Sequence, residues 1–371
     1  MRVLSVFGTR PEAIKMAPVV HALAAAEGVD ARVCVTGQHA EMLAQVLDVF
    51  GIRPDRDLAV MRPGQTLTHV TTAVLEGMAE VLAEETPDAM LVHGDTTTSM
   101  AAALAGFYAG VPVGHVEAGL RTRDLMAPWP EEANRQITGR LAHWHFAPTS
   151  RARDALIAES VLESTIHVSG NTVIDALQHV TNQILPGRET EMATLFPWRD
   201  PSRRLVLVTG HRRENFDGGL EAVCKALARL AARGDVQICY PVHLNPVVRE
   251  AADKVLGNAA DVHLIAPQPY LPFVWLMREA HLVITDSGGI QEEAPSLGKP
   301  VLVTRAVTER PEAVDAGTVI LTGTDTNRIE AEATRLLDDE AAHEAMSRAH
   351  NPYGDGKAAG RIVRVLTGGF P

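Results

Sequence analysis

The sequence has little of what membrane, secreted and nucleic-acid-binding proteins need. Its three cysteines, Cys34, Cys224 and Cys239, lack paired spacing, which indicates free thiols in a reducing cytoplasm. No apolar run approaches the ~20 residues of a membrane helix, and the strand-like start 1–7 is not typical of a signal peptide. The net charge of -12 leaves no broad basic face. We therefore expect a cytoplasmic protein with neither a membrane nor a nucleic acid as partner.

The sequence also lacks both common nucleotide-binding loops, because neither G-x-G-x-x-G nor G-x-x-x-x-G-K-S/T occurs. Its 371 residues, 46% of them hydrophobic, are enough for about two well-packed domains. Short β-branched runs alternate with amphipathic stretches along the chain, a pattern typical of parallel sheets with right-handed crossovers. The predicted fold class is α/β, with two successive Rossmann-like, doubly wound parallel-sheet domains.

The hydrophobic pattern predicts the order of elements and the domain limits. Predicted strands are 3–7, 31–36, 89–93, 111–116, 144–147, 165–168, 205–209, 236–240, 262–265, 282–285, 300–303 and 318–321. Predicted helices of the first half are 11–27, 40–50, 66–85, 97–109, 131–142 and 150–158. Residues 184–204, rich in proline and mixed charges, predict a linker. We expect residues 1–170 to form the first domain, with a C-terminal helix within about 355–371 packed back on it, and residues 171–354 to form the second.

The loops after the first-domain strands carry basic and acidic side chains. Parallel α/β sheets bind ligands outside the carboxyl ends of their strands, at a topological switch point. Arg10 and Lys15 follow the first strand and could flank an anion at a helix N-terminus, although solvated charges at an ordinary helix start explain them equally well. This loop alone therefore decides nothing.

Three acids at three such loops are more informative than any one of them. Asp95 could cap the next helix, Glu117 could pair with Arg121 or Arg123, and Glu131 could complement a helix dipole. All three at one sheet edge are much less probable by accident. Carboxylates repel phosphate, so this group favours proton transfer on an uncharged part of a ligand.

The second domain carries loops suited to a diphosphate. His211 leaves the sheet beside two arginines, as a phosphate-facing or proton-handling group would. The turn 287–289 opens a helix with a hydroxyl and unobstructed N–H groups, a cradle for a diphosphate. Glu293 lies one turn further on and suits a ribose diol. Arg310 would add a charge-assisted contact, unless it is a surface arginine at a helix start.

Taken together, these motifs show that the chain resembles the non-hydrolysing bacterial UDP-N-acetylglucosamine 2-epimerases. The motifs that carry the resemblance run in order over nearly the whole chain, at 8–15, 94–98, 117–122, 128–135, 210–215, 241–246, 286–298, 309–312 and 351–356. The resemblance implies a GT-B-type architecture with the sugar nucleotide in the cleft between the domains. It also implies interconversion of UDP-N-acetylglucosamine and UDP-N-acetylmannosamine by elimination and re-addition of UDP through a 2-acetamidoglucal. A homodimer, no metal or other cofactor, and a product that feeds cell-surface polysaccharide synthesis are further implications.

The same resemblance assigns expected roles to residues. The substrate-binding set is Arg10, Lys15, Asp95, Glu117, His211, Gln268, Phe273, Ser287, Gly288, Gly289, Glu293 and Arg310. The catalytic set is Asp95, Glu117, Glu131 and His211. Family members are often activated by their own substrate at a second site, to which Gln38, His39 and His243 are assigned.

Three other functions share parts of this pattern. A hydrolysing UDP-N-acetylglucosamine 2-epimerase would release free N-acetylmannosamine and UDP from the same fold. A GT-B glycosyltransferase would need an acceptor groove, for which the sequence has no signal. A non-catalytic sugar-nucleotide sensor would need the binding loops but not three acids. We predict the epimerase, with acids from one Rossmann half and a diphosphate grip from the other acting on one sugar.

Overall fold

The computed structural model describes residues 1–37, 40–62, 64–210, 212 and 215–368. The chain divides into two compact units, Met1–Ala176 with Tyr353–Pro371, and Leu177–Pro352. Among the helices in the described ranges, none combines the length and the apolar character required to span a membrane.

Each unit contains one parallel β-sheet. Within the described residues, the sheet of the first unit has seven strands in the order β3-β2-β1-β4-β5-β6-β7, and the sheet of the second has six in the order β10-β9-β8-β11-β12-β13. The strands are β1 Arg2–Phe7, β2 Asp30–Val35, β3 Arg56–Asp57, β4 Ala89–His93, β5 Val113–Val116, β6 Trp144–Ala147, β7 Ile166–Val168, β8 Arg204–Thr209, β9 Val236–Pro241, β10 Val262–Ile265, β11 Ala280–Thr285, β12 Val301–Val303 and β13 Val319–Leu321.

Helices cover these sheets and connect the parallel strands. They are α1 Arg10–Ala25, α2 Ala40–Phe50, α3 Leu67–Glu85, α4 Thr97–Tyr108, α5 Glu131–Leu141, α6 Ser150–Ala158, α7 Thr172–His179, α8 Glu189–Leu195, α9 Gly219–Ala231, α10 Pro246–Leu256, α11 Tyr270–Glu279, α12 Gly288–Ser296, α13 Pro311–Asp315, α14 Thr326–Asp338, α15 Glu340–Ser347 and α16 Ala358–Leu366. Short 3-10 turns lie at Glu163–Thr165 and Leu185–Gly187, and a π-helical turn at Val180–Ile184.

The central strands are largely buried, as expected of parallel strands that helices cover. Every residue of β4 is buried, and Leu4 and Val6 of β1 are fully enclosed. In the second unit, Val206 and Val208 of β8 and Leu282 and Ile284 of β11 lie in one core cluster. The two parallel sheets confirm the predicted fold class.

The chain returns to the first unit through its C-terminal helix. α16 packs against α1, and Asp175 of α7 accepts hydrogen bonds from the backbone N–H groups of Ala358 at 3.2 Å and Ala359 at 2.9 Å. This carboxylate satisfies N–H groups that the first turn of a helix leaves without intrahelical partners.

The prediction of a linker at 184–204 is wrong, because this segment contains α8. Glu189 of α8 pairs with Arg278 of α11 at 2.6 Å, and Phe196 stacks on Trp275 with ring centroids 5.4 Å apart. Prolines and mixed charge suggested an exposed linker, but these long-range contacts fix the segment to the second unit. The two-residue strand β3 and helix α7 were also missing from the prediction.

Candidate active site

Both sheets have a topological switch point at which candidate residues collect. In the first unit the strand order reverses between β1 and β4, and in the second between β8 and β11. The loops at 8–10 and 94–96 therefore lie side by side, as do the loops after Thr209 and Thr285. Near these positions the Thr36 hydroxyl, after β2, lies 3.1 Å from the Thr98 hydroxyl in α4. The hydroxyls of Thr209 in β8 and Thr285 in β11 lie 2.6 Å apart.

The loop after β1 places Arg10 at the N-terminus of α1. Gly8 is required there, because a Cβ atom at this position would lie 2.0 Å from Oγ1 of Thr36. Thr9 caps the helix in a capping box with Glu12, and Pro11 occupies the first turn. Arg10 thus sits where N–H groups and a positive helix dipole favour an anion.

Glu12 joins this loop to the loop after β4. Its carboxylate is 2% exposed and accepts hydrogen bonds from the backbone of Gly8 at 3.0 Å and Thr9 at 2.8 Å. The hydroxyls of Thr96 and Ser99 bind its other oxygen at 2.6 and 2.8 Å. Sequence reasoning gave Glu12 no role, although a capping-box spacing from Thr9 to Glu12 was visible.

Asp95 follows β4 and is available for chemistry. Thr96, rather than Asp95, caps α4 by accepting from the backbone N–H of Ser99 at 3.1 Å. The Asp95 carboxylate lies 3.2 Å from the guanidinium of Arg135, and Asn134 donates to the Asp95 carbonyl at 3.0 Å. Helix α5 therefore holds both the side chain and the backbone of Asp95.

Desolvation by the surrounding protein raises the pKa of Asp95 to about 6. Arg135 acts in the opposite direction, while the negative charges of Glu117 and Glu131 raise this pKa further. These interactions show that the structure brings the three predicted acids into one electrostatic group. A carboxyl group with a pKa near 6 exchanges protons at neutral pH, as an acid-base catalyst must.

Glu117 lies directly after β5 in a left-handed conformation, with φ of 63°. Its side chain is 8% exposed and forms an ion pair with Lys15, and it accepts a hydrogen bond from Nδ2 of Asn171 at 2.9 Å. His93 Nε2 lies 3.5 Å from its Oε2 atom. Arg121, considered above as a partner of Glu117, instead pairs with Glu159 at 2.7 Å.

The first turn of α5 contains two acids with different environments. Glu131 is half-buried and faces the charge of Asp95. Glu132 is fully buried and accepts hydrogen bonds from the backbone N–H groups of Thr122 and Arg123, both at 3.0 Å. Burial alone would raise the pKa of Glu132, but these hydrogen bonds lower it overall. Glu132 therefore anchors the preceding loop, which leaves Glu131 for the ligand.

The glycine turn of the second unit opens α12. Ser287 is the N-cap residue, and its backbone N–H donates to the hydroxyl of Thr285 at 2.9 Å. A Cβ atom at Gly288 would lie 3.7 Å from the Arg310 guanidinium, so the turn and this cation are adjacent. Arg310 forms an ion pair with Glu292. The N-terminus of a helix beside an arginine is suited to a diphosphate.

The remaining second-unit residues lie around this turn or further along the sheet. Glu293 is 8% exposed and accepts from the Tyr270 hydroxyl at 3.4 Å. Asp286 accepts from the backbone N–H of Arg212 at 2.8 Å, which ties the loop after β8 to the loop after β11. Sequence reasoning assigned no role to Asp286.

Gln268 and Phe273 lie beyond the edge strand β10, where Gln268 donates to the Ala266 carbonyl at 2.7 Å and Phe273 is a half-buried residue of α11. His243 is exposed, and its Nδ1 atom accepts from the Asn245 backbone at 3.1 Å. Gln38, His39 and His211 lie outside the described residues. The geometry of these loops therefore leaves the predicted second-site and His211 roles as predictions.

The fold and the acid cluster together define an α/β enzyme built from two Rossmann-like domains. The UDP-N-acetylglucosamine 2-epimerase family model matches residues 21–367. A UDP-N-acetylglucosamine 2-epimerase of Escherichia coli (strain K12) is 61% identical over 369 residues, covering 99% of this chain and 98% of that protein. The chain belongs to the UDP-N-acetylglucosamine 2-epimerase family and is an isomerase.

Solved structures support the same relationship. The Neisseria meningitidis UDP-GlcNAc 2-epimerase bound to UDP-GlcNAc has a TM-score of 0.90 and 48% identity, covering 99% of this chain and 100% of that chain. The Methanocaldococcus jannaschii UDP-GlcNAc 2-epimerase has a TM-score of 0.87 and 31% identity, covering 100% of both chains. These similarities confirm the resemblance to the non-hydrolysing bacterial enzymes inferred from the motifs.

Proposed function

We propose that this enzyme interconverts UDP-N-acetylglucosamine and UDP-N-acetylmannosamine by inverting carbon 2 of the sugar. The observation that carries this proposal is the group of Asp95, Glu117 and Glu131 at one sheet edge, with the pKa of Asp95 raised to about 6. Support comes from the Neisseria meningitidis relative, whose structure is bound to UDP-GlcNAc.

The reaction cannot begin by simple deprotonation, because carbon 2 has no adjacent ketone and its proton is only weakly acidic. The bond between carbon 1 and the UDP oxygen breaks first, and its electron pair leaves with UDP. The resulting oxocarbenium character acidifies the carbon 2 proton, which a carboxylate removes to form 2-acetamidoglucal. A proton then adds to the opposite face of carbon 2, and UDP re-adds at carbon 1.

This sequence needs acid-base groups and a stabilised leaving group. Asp95, Glu117 and Glu131 share the proton transfers and stabilise positive charge on the sugar. The diphosphate is bound by the turn 287–289 and by four side chains, those of Arg10, Lys15, His211 and Arg310. Glu293 binds the ribose. Gln268 and Phe273 complete the substrate-binding set, and Gln38, His39 and His243 form a second, activating site.

Incubation with UDP-N-acetylglucosamine in deuterated water tests the reaction class. Inversion at carbon 2 with solvent exchange should place deuterium at this carbon in both nucleotide sugars, as measured by proton NMR. Free N-acetylmannosamine as the main product would instead identify a hydrolysing enzyme. Binding of UDP without any isotope exchange would identify a sensor. The Asp95→Asn variant is the matched control for background exchange.

We further propose a cytoplasmic homodimer whose product serves cell-surface polysaccharide synthesis. All three cysteines are free and buried, which suits a reducing compartment. Phe107 and Tyr108 are 57% and 71% exposed at the end of α4, an apolar surface that a second copy could cover. Light scattering should give a mass of twice the monomer. The double variant Phe107→Ser, Tyr108→Ser should lower this mass to that of one monomer.

The role of the product in polysaccharide synthesis follows from its chemistry, because a UDP-activated amino sugar is itself a donor for glycosyl transfer.

A further inference from the structure

Asn171 is a buried amide that no motif of the sequence had singled out. It lies in the turn between β7 and α7 and is 2% exposed. Its Nδ2 atom donates to Oε1 of Glu117 at 2.9 Å, across 54 residues of sequence. A buried polar side chain directed at a reactive carboxylate deserves a functional explanation beyond packing.

The orientation of this amide is determined by its other contacts. Oδ1 of Asn171 accepts from the backbone N–H of Val173 at 3.1 Å, at the start of α7. Only the oxygen can accept this hydrogen bond, so the NH₂ group must face Glu117. The backbone N–H of Asn171 donates to the Tyr353 carbonyl at 2.7 Å, in the segment that leads to α16. Asn171 is therefore held at three points within the first unit.

The surroundings of Glu117 show what the amide contributes. Oε1 of Glu117 receives both Lys15 and Asn171, whereas Oε2 faces His93 at 3.5 Å and Asp95 adds a nearby negative charge. Lys15 contributes a positive charge on a flexible side chain. Asn171 contributes a hydrogen-bond donor whose orientation is held by its other contacts. Glu117 itself has φ of 63°, which is sterically unfavourable for a non-glycine residue unless its surroundings hold it in place.

We propose that Asn171 is the positioning residue of Glu117, holding Oε1 and thereby fixing the orientation of the whole carboxylate. This inference rests on the proposed function, in which Glu117 acts on the sugar. Donation to a carboxylate favours its ionised form and restricts its rotation. Asn171 thus prepares the carboxylate before the substrate binds, and the contact with Tyr353 makes the C-terminal return segment part of this support.

The test compares Asn171→Ala and Asn171→Asp with the wild-type enzyme. Asn171→Ala should lower kcat by ~10–100-fold with KM within about threefold, because misorientation affects the chemical step more than binding. The acid limb of kcat/KM should move up by roughly one pH unit, since ionised Glu117 loses a donor. Asn171→Asp keeps the shape and the acceptor for Val173 but places a carboxyl group against Glu117, so its shift should be larger still.

Gln237→Ala is the structural control. Gln237 is also a buried amide, and it pins a loop by binding the Asp200 N–H and the Trp198 carbonyl, both at 2.8 Å, far along the chain from the acids. This variant should lose thermal stability and keep the wild-type pH profile. Thermal unfolding of all variants separates loss of fold from loss of positioning.

The outcomes distinguish the two proposals. If wild-type enzyme shows no carbon 2 exchange, the proposed function itself fails. If wild-type enzyme is active but both Asn171 variants keep its pH profile and its kcat, Asn171 has no positioning role. The same conclusion follows if Asn171→Asp matches wild type while Asn171→Ala loses only stability. A positioning role is supported if the acid limb of kcat/KM lies at the lowest pH in the wild-type enzyme, at a higher pH in Asn171→Ala and at the highest pH in Asn171→Asp.

Discussion

At the scale of single residues, the site is defined by differences between neighbouring acids. Glu131 and Glu132 are adjacent in sequence, yet only Glu132 is fully buried and holds two backbone N–H groups. Asp95 has a raised pKa, whereas Arg135 limits that rise. A carboxylate thus acts as a structural anchor in one position and as a proton-transfer group in another, depending on which hydrogen-bond donors surround it.

Amide substitution separates these roles. Asp95→Asn, Glu117→Gln and Glu131→Gln should each lower turnover by ~10²–10⁴-fold while UDP affinity stays nearly unchanged, because an amide cannot transfer the proton. Coupled assays and UDP titration by calorimetry measure the two quantities. Glu132→Gln is the matched control, and we expect it chiefly to lower the unfolding temperature. Near-normal turnover in all three site variants would contradict the assignment of these acids.

Arg135 should set the pH at which Asp95 titrates. Arg135→Met removes a cation that lowers the pKa of Asp95, so this pKa should rise from about 6 by roughly one unit or more. The limb of the pH–rate profile that depends on Asp95 should move to higher pH by the same amount. Arg140→Met changes an exposed arginine on the same helix and should leave the profile in place. An unmoved limb in Arg135→Met would show that Asp95 does not control it.

At the scale of elements, loops at the carboxyl ends of strands are joined by buried side chains. Glu12 links the start of α1 to the start of α4, and Asp286 links the loops after β8 and β11. These carboxylates do not need to touch a ligand to matter. They fix the relative position of two ligand-facing loops by satisfying backbone and hydroxyl donors that burial would otherwise leave unpaired.

Removal of Glu12 should therefore be costly. Glu12→Ala leaves several buried donors without an acceptor, and we expect a loss of about 3 kcal/mol or more in the free energy of unfolding. Urea denaturation followed by circular dichroism measures the loss. Glu27 is an exposed residue just after the C-terminus of α1, so Glu27→Ala should change the free energy of unfolding by only about 0.5 kcal/mol or less. Equal effects of the two substitutions would show that Glu12 is not a structural link.

At the scale of the whole molecule, buried neutral histidines couple stability to pH. Burial lowers the pKa of His93 to about 4, of His115 to about 3 and of His281 to about 4. The unfolded chain binds protons at these residues near pH 6.5, whereas the folded protein does not. Stability from these groups is therefore present above pH 6.5 and is lost as the pH falls toward 4.

The urea midpoint of unfolding should accordingly decrease between pH 6.5 and 4. Among the described residues, the raised pKa values of Asp95 and Asp175 act in the opposite sense, but they are two groups against three histidines. His281 stacks on His343 with ring centroids 4.0 Å apart, so His281→Phe keeps a ring in place without a titrating nitrogen. This variant should show a shallower decrease. A midpoint that is constant over this pH range would contradict the linkage.

Much of this organisation could be predicted from the sequence because it depends on local patterns. Apolar runs bounded by turn residues predicted β4, β6 and β10 with the bounds that the structure has. The positions of Asp95, Glu117 and the turn at 287–289 followed from the rule that ligand loops follow parallel strands. Helix α8 was missed because its place is fixed by Arg278 and Trp275, which are more than 75 residues away.

The sequence alone determined the fold class, the order of the strands along the chain and the loops that carry acids and glycines, since hydrophobic periodicity and turn residues act over a few positions. Tertiary structure alone decided which groups meet. Glu117 pairs with Lys15 and Asn171 rather than with nearby Arg121, across 102 and 54 residues. Such contacts, and the desolvation that raises the pKa of Asp95, exist only when distant segments pack together, so no local pattern encodes them.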